Sequence, residues 1–306
     1  MPQQTDIRTN RDIDNLIIEG QFHMAEEWGM QQLADYLQEL QLIGIGVPYS
    51  ELGIAQRRHA ARPGIIKMAI SGPKVIQDPE LLNNAELTPA GSYAHLRLEG
   101  VMRSKDGASH QGVGTLINSL QAAYQNDNIQ GILLETNTGG GEATAGQMLK
   151  SALEQSPKAV VTYAHFMASA GVMGTLPSDE IIASSRMAEI GSIGTYITLS
   201  KGFREWYSLN FQEIYADKST NKNKEIRQYI TDGDLSGIRA MVNRTNEHFL
   251  NDVQQYRPLK GNIDNTLSGE LFDAPKAKRR GLIDGIGSFQ HAIKRLGVHV
   301  KRRQNQ

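Results

Sequence analysis

The 306-residue sequence contains no cysteine. Disulfide bonds, thiol nucleophiles and thiolate metal ligands are therefore excluded together. An excess of charge of one sign is also lacking, since 32 Lys and Arg residues stand against 33 Asp and Glu residues. This balance gives no global electrostatic reason to expect nucleic acid or an anionic membrane surface as a partner.

Long apolar runs are missing as well. The N-terminal stretch "MPQQTDIRTNRDIDN" lacks the apolar core of a secretory signal. No run approaches the roughly 20 apolar residues that a membrane-spanning helix needs. These absences predict a soluble, intracellular protein with no membrane span.

Three zones differ in pattern. In residues 1–91, apolar residues such as Ile17, Met24 and Trp28 recur at helical intervals, which predicts a helical arm followed by a connector. From residue 92 to about 217, short β-rich runs alternate with helical segments and end with a predicted strand "FQEIYA". Such alternation indicates an α/β layer with largely parallel strands. The remainder is predicted to be mainly helical, with a basic tail over residues 298–306.

A glycine-rich segment lies between a predicted strand and a predicted helix. It reads "ETNTGGGEATAG" over residues 135–146. Backbone N–H groups of consecutive glycines at the start of a helix suit an anion or a developing oxyanion. Neither a GK[ST] ending nor GxGxxG spacing is present, so the segment matches no phosphate loop or dinucleotide fingerprint. The alternative interpretation is a flexible strand-to-helix turn.

Ser169 stands alone as a hydroxyl in the small and apolar stretch "HFMASAGVMG", residues 165–174. Small neighbours allow a backbone or a substrate to approach the hydroxyl closely. The alternative role for this residue is an ordinary helix N-cap. A nucleophilic serine also needs a base. No histidine lies between residues 166 and 247, and His165 is expected on the loop that enters the helix.

Four motifs then occur in a recognisable order. They are "NTGGG" from Asn137 to Gly141, "ASAGV" around Ser169, "DEIIA" followed by "IGSIGT", and the C-terminal "LSGELFDAPKAKRRGLIDGIGSFQHAIKRLG". Together, over residues 92–297, they resemble the signal peptide peptidase A family of serine-lysine peptidases. The resemblance implies a Clp protease/crotonase-like α/β fold of stacked β-β-α units with largely parallel strands.

The resemblance also implies roles for single residues. Ser169 would be the nucleophile, and the amides of Ala170 and of Gly140 or Gly141 would form the oxyanion hole. The chain departs from the family pattern at Gly139, where the family has proline, and at Ala170, which replaces the first of two glycines. Alanine keeps its backbone N–H, so the second departure preserves the donor.

A lysine about 50 residues after the serine is the general base that the resemblance implies. Lys218, Lys222 and Lys224 all satisfy this spacing. The family pattern S-G-x-x-K is matched, with one residue fewer, by the stretch from Ser219 to Lys222, so Lys222 is preferred and the other two lysines remain open. A lysine accepts a proton only when it is deprotonated, which predicts an apolar, desolvated cleft.

The function implied by the resemblance is cleavage of a polypeptide substrate through an acyl-enzyme, without metal or cofactor, by a homo-oligomeric ring or dome. The helical arm and the missing anchor suggest the cytosolic or bacteriophage branch of the family. Enzymes of the phage branch process capsid and scaffold proteins inside an immature head. Two alternatives stay open: a catalytically silent assembly protein of the same fold, and a crotonase-type acyl-CoA enzyme, which needs no serine at position 169.

Overall fold

The computed structural model describes residues 22–24, 64–69, 72–106, 112–199 and 202–305. The strands are β1 (Phe22–Met24), β2 (Gly64–Ala69), β3 (Gly72–Ile76), β4 (Ser92–Met102), β5 (Ile129–Glu142), β6 (Ala159–Ala168), β7 (Glu180–Ala183), β8 (Glu189–Gly191), β9 (Leu271–Asp273) and β10 (Gly285–Ile286). The helices are α1 (Glu80–Asn83), α2 (Val113–Gln125), α3 (Ala143–Glu154), α4 (Ala170–Thr175), α5 (Phe203–Asn210), α6 (Lys224–Asp232), α7 (Ser236–Tyr256), α8 (Ile263–Thr266), α9 (Ala274–Arg280) and α10 (Phe289–Gln304).

The sheet follows the order β10-β7-β6-β5-β4-β2-β3. Strands β4, β5, β6, β7 and β10 are parallel to one another, whereas β2 and β3 form an antiparallel hairpin that pairs with β4. Off this path, β1 pairs with the end of β5, and β8 joins β6 to β9. The mixed α/β layer with a mostly parallel sheet confirms the predicted fold class, and the sheet draws strands from both sides of residue 92.

Helices cover both faces of the parallel strands. Ile132 and Leu134 of β5 pack with α2 and α3, while Leu133 between them packs with α10 on the opposite face. Successive strand residues point to opposite faces, so a continuous apolar run such as "GILL" must be buried on both sides. The parallel strands therefore form a rigid layer whose carboxyl ends carry the loops described below.

Two predicted elements differ from the structure. Residues 211–216 form no strand; Phe211 and Ile214 are 52% and 90% exposed there, so their apolar side chains do not enter the core. Phe22–Met24 is a strand, although it lies inside the predicted helical arm. The rest of that arm lies outside the described residues. The helical character of the C-terminal region is confirmed by α6 to α10. Of the helices in the described ranges, none combines the length and apolar character needed to cross a bilayer.

Candidate active site

Ser169 forms a sharp turn between a strand and a helix. β6 ends at Ala168, α4 begins at Ala170, and Ser169 joins them with φ 56° and ψ −118°. A residue with a Cβ atom rarely adopts this conformation, which costs about 1–3 kcal/mol and persists where neighbouring contacts enforce it. Those contacts are present: the Ser169 N–H donates to the Gly191 C=O at 2.9 Å, and the Ser169 C=O accepts from the Met173 N–H at 3.0 Å.

The Ser169 side chain is buried, and it has no partner among the residues that the structure describes. It occupies the N-cap position of α4 but makes no capping hydrogen bond, so the alternative of an ordinary N-cap is wrong. The residue is 1% exposed, and its Oγ has no hydrogen-bond partner among the described residues. Burying a hydroxyl without a partner is unfavourable by about 1–3 kcal/mol, so such a group calls for an explanation beyond stability.

The glycine segment ends β5 in a conformation that needs glycine. Gly140 and Gly141 have φ values of 93° and 154°. A Cβ atom on Gly141 would lie 2.1 Å from the Met102 carbonyl oxygen of the neighbouring β4. The backbone of β4 therefore approaches Gly141 as closely as a residue without a side chain permits. The segment is the tightly packed end of a strand, which contradicts the alternative of a flexible turn.

Thr138 holds this segment in place, and sequence analysis did not single it out. Its fully buried Oγ1 donates to the Gly100 C=O at 2.5 Å and accepts from the Gly140 N–H at 3.0 Å. A Cβ atom on Gly171 would lie 2.5 Å from Thr138 Cγ2, so Thr138 also packs against α4. One side chain thus connects β4, the glycine segment and the helix that begins after Ser169. The available signal was a threonine directly before three glycines.

The predicted oxyanion residues Gly140 and Gly141 lie at the end of β5, and this strand contacts α4, the helix that begins at Ala170 directly after Ser169. Their amides differ. The Gly140 N–H is already donated to Thr138. Ala170 is the first residue of α4 and is fully buried, and N–H groups of a first helical turn have no acceptor within the helix. Ala170 is therefore better placed than Gly140 to donate to a substrate oxygen.

The three predicted lysines lie at the surface. Lys218 and Lys222 precede α6, and Lys224 is its first residue. All three are exposed. Since Ser169 Oγ is unpaired among the described residues, none of these lysines is hydrogen-bonded to it. In the single chain, Ser169 is therefore buried, whereas the three candidate bases are exposed and make no hydrogen bond to it.

Lys150, which is buried, and Lys158, which is partly buried, are poor substitutes for them. Burial acts to lower the pKa of Lys150, but contacts of its Nζ with Glu154 at 3.0 Å and Asp252 at 3.2 Å raise it overall and keep the amine protonated. Burial lowers the pKa of Lys158. However, Lys158 precedes β6 while Ser169 follows it, and a strand of ten residues separates them by roughly 30 Å.

His165 lies within β6, so its expected place on a loop is wrong. Its Nε2 is 2.6 Å from Glu135 Oε1, and His95 Nε2 is 2.8 Å from Glu135 Oε2. The hydrogen bond from His95, above all, and that from His165 outweigh burial and lower the pKa of Glu135 to about 2. His165 is thereby engaged away from Ser169. In the described part of the chain, no group of three His, Cys, Asp or Glu residues is arranged to hold a metal ion.

A mostly parallel α/β sheet with a strained serine elbow beside a glycine strand is a fold and site suited to acyl chemistry. Residues 152–303 match the model of peptidase family S49. The matched stretch includes Ser169 and most of α10.

Curated relatives carry protease names. A Methanocaldococcus jannaschii protein named "Putative protease MJ0651" is 30% identical over 59% of this chain and 59% of its own length. Protease 4 of Haemophilus influenzae is 25% identical over 69% of this chain and 35% of its own length. Protease 4 of Salmonella typhi is 23% identical over 71% of this chain and 36% of its own length. The chain therefore spans less than two thirds of the length of each of these relatives.

Solved structures with related architecture are more distant. A mutant of 1510-N, a membrane-bound stomatin-specific protease, aligns with a TM-score of 0.42 and 16% identity over 65% of this chain and 81% of its own. A mutant of ClpP1 from Listeria monocytogenes gives a TM-score of 0.42 and 11% identity over 65% and 94%. An enoyl-CoA hydratase from Bacillus halodurans gives a TM-score of 0.37 and 15% identity over 70% of this chain and 77% of its own.

Proposed function

We propose that the chain is a serine endopeptidase that cleaves polypeptides through an acyl-enzyme on Ser169, with Lys222 as the general base. The observation that carries this proposal is the buried Ser169 hydroxyl, which has no hydrogen-bond partner in the part of the chain that the structure describes and stands on a strained elbow. Strain that the surroundings enforce at a nucleophile is a recurrent feature of catalytic turns. The elbow also lies inside the region that matches a peptidase family.

In the proposed reaction, Ser169 Oγ attacks the carbonyl carbon of the scissile peptide while its proton passes to the lysine amine. The amides of Ala170 and Gly141 donate to the carbonyl oxygen as it becomes negatively charged. Collapse of the tetrahedral intermediate breaks the C–N bond, and the leaving amine takes the proton from the lysine. Water then hydrolyses the ester by the same route. Gly140 serves to hold the loop through Thr138.

Assembly of several copies supplies the desolvation that the lysine needs. Helix α5 and the residues after it expose large apolar side chains: Trp206 is 53%, Leu209 84% and Ile214 90% exposed. These residues directly precede the lysine segment. A second copy of this chain docked on them would remove water from both the apolar patch and the lysines, which favours the neutral amine. We therefore propose a homo-oligomer, as a ring or dome, as the active form.

The substrate class we propose is an extended polypeptide, with phage capsid and scaffold proteins inside an immature capsid as the specific case, or a cytoplasmic substrate in a cell. The sequence motifs of the family resemblance support this context. Incubation with purified scaffold and capsid proteins of the cognate particle, with the Ser169→Ala variant as control, tests it. Serine-dependent fragments are expected, and intact proteins under conditions in which Ser169 is reactive would contradict the phage role.

A catalytically silent assembly protein is the second candidate, and the exposure of Lys218, Lys222 and Lys224 favours it. A fluorophosphonate probe distinguishes the two functions. The peptidase should gain one adduct that peptide mapping places on Ser169, and Ser169→Ala should gain none. Because the chain has no cysteine and the proposed chemistry uses no metal, chelators and thiol alkylation should leave labelling unchanged. Absence of an adduct on the assembled protein would favour the silent role.

The base is tested by three matched variants. Methionine replaces the lysine stem by an apolar chain of similar length, so Lys222→Met should retain the fold but lose labelling near neutral pH. Lys218→Met and Lys224→Met are the controls and should label normally. Loss of labelling in one of the controls instead would move the base by a few residues. Normal labelling of all three variants would refute the serine-lysine mechanism.

A further inference from the structure

The short strand β1 occupies a particular edge of β5. On one edge, Val101 and Met102 of β4 pair with Gly140 and Gly141. On the other edge, β6 accompanies β5 as far as Thr138 and then turns away at the Ser169 elbow. β1 pairs with the same glycines in antiparallel orientation. Since a strand has two edges and β4 holds one of them, β1 must lie on the edge that β6 leaves free.

β1 is also close to the serine. It contacts α4, the helix that starts directly after Ser169. With β1 in place, Ser169 is 1% exposed and its Oγ finds no polar partner in the described structure. β1 therefore occupies the free edge of the glycine segment, next to the helix that begins directly after the buried Ser169.

We infer that Phe22–Met24 lies in the path that an extended polypeptide substrate takes past Ser169, so that this segment of the chain blocks its own active site. The inference rests on the proposed peptidase function. Antiparallel strand addition uses backbone N–H and C=O groups, so it admits many side-chain sequences, as a polypeptide substrate requires. A segment tethered to the same chain competes at a high effective concentration. Three paired residues are few enough for a substrate to displace.

The test breaks the backbone pairing in the full chain. His23→Pro and Met24→Pro each remove a backbone N–H and restrict φ within β1. Val75→Pro in β3, an exposed edge strand at the far end of the sheet order, is the matched control. Two rates are measured for each protein: deuterium uptake by the peptide that covers residues 138–142, and adduct formation on Ser169 by a fluorophosphonate. Circular dichroism first confirms that each variant is folded.

The two β1 variants should exchange faster over residues 138–142 and label Ser169 at least tenfold faster than the unmodified chain, whereas Val75→Pro should match the unmodified chain in both rates. Equal rates in all four proteins would overturn the inference and leave the peptidase proposal standing. Failure of every protein to label would overturn the peptidase proposal. In that case the exchange rates decide alone: faster exchange in the β1 variants supports occupation of the glycine edge, and unchanged exchange overturns it.

Discussion

Replacement of Thr138 by valine should separate the positioning of the glycine segment from simple core packing. Valine keeps the branched shape of threonine and removes the hydroxyl that accepts from the Gly140 N–H and donates to the Gly100 C=O. The Gly140 N–H is buried and would lose its acceptor, at a cost of about 1–3 kcal/mol in the free energy of unfolding. The Gly100 carbonyl is only partly buried and can accept a hydrogen bond from water instead, so the loss of its bond to Thr138 should add little to this cost.

The same change should slow acylation of Ser169. Loss of an oxyanion donor typically lowers turnover by a factor of about 10²–10³, and displacement of a donor lowers it by a smaller factor. We therefore expect acylation about 10- to 100-fold slower, with KM for a peptide substrate nearly unchanged, because such donors act mainly in the transition state. Denaturant titration gives the stability change, and the rate of fluorophosphonate adduct formation gives the chemical one.

Thr138→Ser is the matched control because it keeps the hydroxyl and removes Cγ2, the methyl group that packs against Gly171. Loss of one buried methyl group should lower the free energy of unfolding by about 1 kcal/mol. Acylation should stay close to that of the unmodified chain. If the serine variant proved as slow as the valine variant, packing against α4 rather than the hydrogen bond to Gly140 would position the site, and our reasoning would be refuted.

Three further changes test other parts of the structure. Gly171→Ala should lower the free energy of unfolding by about 1–3 kcal/mol and slow acylation, because its Cβ would meet Thr138 Cγ2 at 2.5 Å. Thermal melts measure the stability change. Gly114→Ala in α2 is the control and should be neutral or stabilising, because its Cβ would face open space. The pKa of Glu135 lies at about 2 rather than 4.5, so its contribution to stability is complete above about pH 4.5 and is lost as the pH falls towards 2. Glu135→Gln should weaken this loss of stability at low pH in denaturation midpoints measured from pH 2 to 6. An unchanged pH dependence would show that other groups cause the loss. Leu209→Asp should lower the mass of the assembly in sedimentation experiments and slow Ser169 labelling with it, whereas an unchanged mass would exclude α5 from the interface.

The parallel layer could be predicted from the sequence because several of its strands contain a short apolar run, and these runs alternate with helical segments. Runs such as "GILL" and "EIIA" are buried on both faces, so their composition distinguishes them from surface segments. Ser169 was also predictable, since small residues on both sides of one hydroxyl indicate close packing around it. The turn itself shows why: Gly171 and Gly146 sit where a Cβ would meet Thr138 Cγ2 at 2.5 Å and the Ala170 carbonyl at 3.0 Å.

Elements that depend on distant partners were not predictable in this way. Phe22–Met24 falls within a pattern of helical period, and its strand conformation comes from pairing with β5 more than 100 residues later in the chain. His165 seemed to be a loop residue because the sequence does not show that β6 continues to Ala168; the strand carries a register shift opposite Thr136 and Asn137 at this point. Apolar residues of 211–216 predicted a strand, but in a single chain their side chains remain at the surface.

The same distinction separates the two halves of the candidate site. The elbow at Ser169, the glycine segment and Thr138 are fixed by contacts within one tightly packed layer. Local motifs pointed to the elbow and to the glycine segment, whereas the role of Thr138 depends on its contacts with β4 and α4. The lysines follow an exposed apolar segment, so their environment depends on what covers that segment, which no motif records. Under the proposed function, the single chain would hold the nucleophile on its turn but would lack both substrate access, because β1 lies on the glycine edge, and a base, because the three lysines are exposed. Removing β1 and docking a second copy on α5 would be separate events, so variants of β1 and variants of α5 should change Ser169 labelling independently, and their effects on the logarithm of the rate should add.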